Sequence, residues 1–331
     1  MKKRKIFGFA LHVLAILLTL AFLIVGFCGY KWGLWVSLGA LIHFVCSSII
    51  HELGHLIVIK KRKCKIVGWN ILGFYNDKTT DTCGYSAVNY AGSISYVSTS
   101  PEKAKEDLQK VSLGGVVANA IYLIVCLAIG FIAWDIEVST WILLCGSYVS
   151  FYMVIINLLP LREDGDGAVY IGVKRNKENY QTMINLSKIL SYLYNGYSPK
   201  DIPSEYYDNV SGYMSEGVLF YKMLYYIQIG ELRNAYDIAL DLQEDYEDTV
   251  TPERLYIATR LDYNLEIPQL ADSVSYLEPE SAKYFRINGA YRKYCNDEEW
   301  AKLCKQSGLK AVENEFFKGL GKFEEELINL L

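Results

Sequence analysis

Four long apolar runs before Leu161 constrain this 331-residue chain more than any other feature. They cover roughly residues 6–28, 32–59, 111–134 and 140–160, and each reaches the about 20 residues that a helix needs to cross a bilayer. Backbone polar groups in hydrocarbon must bond internally, so runs of this kind are expected to fold as spanning helices. After Leu161 the sequence turns charged, tyrosine-rich and helix-periodic, as in a soluble region. Residues 1–170 carry 15 Lys+Arg and 11 Asp+Glu, and residues 171–331 carry 18 and 26. The two parts therefore stand at +4 and −8 within a net charge of −4, a balance that gives no support for nucleic-acid binding.

The expected fold class is mainly α: a polytopic membrane protein with about four transmembrane helices, a small membrane-associated β-hairpin loop and a C-terminal soluble helical, repeat-like domain. Residues 1–171 would form the membrane domain, with a cytoplasmic loop at 61–110, and residues 172–331 the cytoplasmic one. Lys2, Lys3, Arg4 and Lys5 precede the first run, but its apolar core is too long for a signal peptide, so it reads as a retained anchor. The basic N-terminus and the Lys60, Lys61, Arg62, Lys63, Lys65 cluster both belong on the cytoplasmic side by the positive-inside rule. Both termini are then cytoplasmic, in a multi-pass protein of the cell membrane. Eight cysteines without a CxxC pair read as free thiols in a reducing compartment.

Inside the second run stands His51-Glu52-Leu53-Gly54-His55. Two histidines four apart share one helix face and can hold a zinc ion, and the glutamate between them is placed to take a proton from water. A buried His-Glu pair can instead bond within a helical bundle. Ionisable residues at membrane depth are costly, however, and mark function by default.

A zinc site needs a third protein ligand. His43 lies eight residues before His51, about 12 Å along the helix, and cannot share the ion. His12 stays open, although a carboxylate is the commoner partner of two histidines where a position is left for water. The fourth run ends Asn157-Leu-Leu-Pro160-Leu-Arg-Glu-Asp164-Gly-Asp166-Gly167. Pro160 breaks the helix there, freeing backbone that membrane depth tolerates only when it is covered or lines a wet cavity.

With HELGH in a span, Gly114-Gly115-Val-Val-Ala-Asn119 opening the third run, and Asn157-x-x-Pro160 followed by Asp-Gly, the chain resembles the site-2 protease family of intramembrane zinc metalloproteases. The resemblance implies a zinc endopeptidase with Glu52 as catalytic base, Asn157 orienting substrate, and His51, His55 and an aspartate on zinc. Asp166 is favoured because Gly167 and the apolar Ala168–Ile171 continue as the family's Asp-Gly does. Asp164 is the alternative, since the family's usual spacing falls on Gly165. Gly114, Gly115 and Asn119 serve equally for close helix packing, with Asn119 bracing the metal helix.

Between the second and third runs, Ile66–Phe74 and Tyr85–Val97 read as strands joined by a turn at Asn76–Gly84. The edge of such a hairpin could take up an extended substrate segment. In the soluble region, Glu216–Gly230 and Leu232–Gln243 resemble a tetratricopeptide helix pair, with further helices at 254–265, 268–277, 281–295, 298–306 and 311–330. The expected partners are a membrane-embedded protein or peptide substrate, the lipid bilayer and a protein on the C-terminal helices. A catalytically silent membrane scaffold that recruits partners through those helices is the alternative function.

Overall fold

The computed structural model describes residues 2–270 apart from 79–81, 86–91, 137, 139, 146, 162–164, 213, 244–250, 264 and 267–268. The chain is mainly helical and divides into two compact units, one of residues 1–99 and 103–181, the other of residues 100–102 and 182–331.

In the first unit the apolar runs become helices. Helix α1 is Lys2–Phe27, α2 Lys31–Lys61 and α3 Ala104–Ile132; a π-helical turn at Thr140–Cys145 leads into α4, Tyr148–Leu158. Among the described residues three segments are long and apolar enough to cross a membrane: Lys31–Lys61, Ala104–Ile132 and Thr140–Leu158. The apolar part of α1 among the described residues, Val13–Phe27, is shorter. Helices α2 and α3 cross backbone to backbone at Gly54 and Gly114, where a β-carbon on either would run into the other's carbonyl. Small residues permit that approach, and it brings the polar faces of the two helices together.

The segment between α2 and α3 is a four-stranded antiparallel sheet rather than one hairpin. Its strands are β1 Lys65–Ile71, β2 Phe74–Asp77, β3 Thr82–Tyr85 and β4 Ser93–Val97, in the order β3-β2-β1-β4. The expected Ile66–Phe74 strand folds back at Leu72-Gly73, both with positive φ (52° and 87°), so that Ile71 pairs with Phe74. This is the backbone of a tight two-residue hairpin, built on a leucine where asparagine would be usual. The polar stretch expected as a turn supplies β3 instead, with Asn76 opposite Cys83 and Asp77 opposite Thr82.

A buried carboxylate ties the sheet to the helices. Asp107, near the start of α3, accepts from Arg62 Nε at 2.6 Å, Ser98 Oγ at 2.5 Å and Cys64 Sγ at 3.4 Å. Arg62 also reaches Glu106 at 2.8 Å. The end of α2, the end of β4 and the start of α3 thus meet on one charge. Burial first, and the Asp107 carboxylate second, push the Cys64 thiol up to about 12. Only the thiolate is nucleophilic. Maleimide at pH 8 is therefore expected to modify exposed Cys83 while leaving Cys64 untouched in the folded protein, as read by peptide mass mapping. Equal labelling of the two would contradict this arrangement.

Helix α5, Asp166–Lys174, completes the first unit. In the second, α6 is Gln181–Tyr194, α7 Ser215–Ile229, α8 Leu232–Gln243 and α9 Thr251–Arg260. Gly230 ends α7 in the left-handed region at φ 83°, the usual helix stop. Met223, Leu224 and Ile227 of α7 bury against Ala235, Ala239 and Leu242 of α8 and Leu255 and Ile257 of α9. The helix expected at 254–265 is seen as Thr251–Arg260, and those expected from 281 onward lie outside the described residues.

Candidate metal centre

Because α2 is apolar nearly all round, its few polar residues stand out by their spacing. His43, Ser47, His51 and His55 recur every four residues, and all four are buried. A stripe at that interval lies on one helix face, here turned toward α3 and α4. Asp166 is brought to it from the first position of α5. His51 Nε2 lies 3.1 Å from His55 Nε2, and Asp166 Oδ2 lies 2.9 Å from the first and 3.4 Å from the second.

These three atoms form a group that could hold a metal ion. A tetrahedron with the 2.0–2.2 Å bonds usual for zinc has edges of about 3.3–3.6 Å, close to the spacing here. The hydrogen-bond pattern fits as well. His55 Nδ1 is 2.7 Å from the carbonyl of Val111, which can only accept, so Nδ1 carries the proton and neutral His55 turns the lone pair of Nε2 into the group. Asp166 Oδ2 is buried and faces no donor besides the two imidazole Nε2 atoms. Lone pairs converging at this distance repel unless a proton or a cation lies among them.

Gly115 leaves the space beside this group open. A β-carbon there would sit 2.6 Å from Nε2 of both histidines, so any side chain would crowd these donor atoms. Asn119, fully buried one turn further along α3, has its amide 3.3 Å from His51 Nδ1 and its Oδ1 without a partner. A half-turn of that amide lets Oδ1 accept from Nδ1–H, which satisfies the orphaned oxygen and frees His51 Nε2 as a ligand. This is the outer-shell support that histidine ligands usually receive.

Glu52 stands apart from the three. Its carboxylate is buried and Oε2 has no partner. On its other side lies Gly92, just before β4, so close that a β-carbon at 92 would overlap Oε1. Asn157 is half-buried on the last turn of α4 and, among the described residues, bonds none of the three ligands. Asp164 and the side chain of His12 lie outside the described residues. Sequence reasoning did not identify the Val111 carbonyl or Gly92. A backbone carbonyl has no residue signature, and Gly92 sits in a stretch of small residues that reads as ordinary loop. No known protein family, no curated protein and no solved structure matches this chain.

Proposed function

We propose that the protein is a zinc-dependent intramembrane endopeptidase of the site-2 protease type, hydrolysing a peptide bond in or near a membrane-spanning segment of its substrate. The observation that carries the reading is the meeting of His51, His55 and Asp166 beside an uncommitted, buried Glu52. Membrane placement draws support from the apolar side chains that α2 and α3 leave exposed, among them Leu41, Ile57, Ile121, Ile124 and Phe131. A soluble monomer rarely exposes contiguous apolar surface of that extent. In this reading α1 is a fourth span and both termini are cytoplasmic, as the flanking basic residues favour.

Zinc bound by the three ligands would supply a Lewis acid that lowers the pKa of water toward about 7. Glu52 Oε2 would accept a proton from the attacking water and return it to the leaving amine. The Val111 carbonyl holds His55 in the tautomer that leaves Nε2 unprotonated, and the Asn119 amide, turned so that Oδ1 faces Nδ1, would do the same for His51. Asn157 orients the substrate backbone, on the family resemblance. A helical peptide bond is closed to attack, so the substrate has to unwind. Strand β4 is an edge of the sheet and begins next to Gly92, where an added strand would pass Glu52.

Purified protein is expected to cleave a single-span substrate in liposomes, to stop when a chelator strips the metal, and to recover on addition of Zn2+. Cleavage that the chelator leaves unchanged would refute the proposal.

A further inference from the structure

A second buried polar group lies deeper along the stripe of α2, and the proposed chemistry makes no use of it. His43 Nε2 is 3.1 Å from the carbonyl of Ile142 in the π-helical turn, and its Nδ1 is 3.1 Å from both Tyr122 Oη of α3 and Ser150 Oγ of α4. Ser150 Oγ also meets Ser47 Oγ at 2.9 Å. The carbonyl only accepts, so Nε2 carries the proton and Nδ1 accepts from the hydroxyls. His43, Ser47 and Ser150 are all buried. Ser150 is thus a polar link from α4 to α2, whereas the hydroxyl of Tyr148 bonds Thr19 of α1.

The route by which the chain reaches Asp166 runs past this link. Asp166 belongs neither to α2 nor to α3; the chain delivers it through the end of α4. Gly167 is pressed on the Leu158 carbonyl so closely that no β-carbon fits, so the start of α5 travels with the end of α4. Ser150 lies eight residues before Leu158, about 12 Å along the helix. The depth at which Ser150 is held against α2 therefore bears on where the α4 end lies and, through the Gly167–Leu158 contact, on the reach of Asp166 toward His51 and His55, while α5 also packs against α3.

We infer that Ser47, Ser150 and His43 form a staple that sets the depth of α4 and so positions Asp166 at the metal centre. The inference rests on the metal-centre reading and extends it to residues that touch neither the ion nor substrate. They are positioning residues, and their removal loosens the site without abolishing the fold.

Full-length protein in detergent, stripped of metal, is titrated with Co2+, whose visible absorption reports coordination, and with Zn2+ against a chromogenic chelator. Ser47→Ala and Ser150→Ala are each expected to weaken metal binding about 10–100-fold, the usual effect of losing outer-shell support, and to lower the intense absorption of four-coordinate Co2+. The double variant is expected to be no weaker than the worse single one, because both remove one link. Ser150→Thr keeps the hydroxyl and is expected to restore binding. Ser48→Ala is the control, since among the described residues the Ser48 hydroxyl bonds the Phe44 carbonyl of its own helix and nothing on another helix. Should both alanine variants fail to fold, His43→Gln carries the same test. Folded variants that bind Co2+ as tightly as the parent overturn the staple alone, whereas a parent that binds no Co2+ overturns the metal centre itself.

Discussion

Glu52→Gln is expected to lower cleavage by about 10²–10⁴-fold, the usual contribution of a positioned general base, while leaving bound zinc at the parent level. The separation follows from the geometry. Glu52 sits one residue from His51 but contributes no atom to the group formed by His51, His55 and Asp166. The amide of glutamine fills the same space against Gly92, so packing is kept. What it lacks is a lone pair basic enough to take a proton. Zinc content measured by elemental analysis, beside cleavage of the single-span substrate, reads the two quantities independently. A variant that cleaves as fast as the parent removes Glu52 from the chemistry, and one that loses its zinc makes Glu52 a structural member of the site instead.

The centre was legible in the sequence to the extent that local spacing determines it. The four-residue interval places His51 and His55 on one helix face whatever surrounds them. The third member of the group, Asp166, is different in kind, because its position depends on how α4 ends. Spacing alone left Asp164 and Asp166 on either side of Gly165. In the structure Asp166 opens α5, and Gly167, backed against the Leu158 carbonyl, sets its direction. That contact is tertiary and leaves no periodic trace. The sheet shows the same limit. The residues of β1 and β4 were recognisable by composition, but those of β3 read mostly as turn, and the reversal at Leu72-Gly73 depends on a leucine in the left-handed region, which turn chemistry does not suggest. In the second unit the stop at Gly230 was readable because glycine at a helix end has one common conformational use.

Asp166→Ala is expected to take bound zinc from one per chain to near none, and Gly115→Ala to do the same without removing a ligand. Losing Asp166 leaves two histidines, too few to hold the ion against dilution, so affinity should fall by more than the roughly 10–100-fold that an outer-shell change costs. The carboxylate also stands at the positive end of α5, so some local stability is lost with it. Gly115→Ala separates the two effects. It keeps every ligand and charge, but its methyl would lie 2.6 Å from both Nε2 atoms. Either the imidazoles turn away or α3 withdraws from α2, and in both cases the three donor atoms no longer converge. Asp164→Ala is the comparison for the first variant. If it loses zinc while Asp166→Ala retains it, the third ligand is Asp164 and the proximity of Asp166 to the histidines is incidental. If Gly115→Ala binds zinc as the parent does, the ion does not lie between α2 and α3, and the role of Gly115 is helix packing alone.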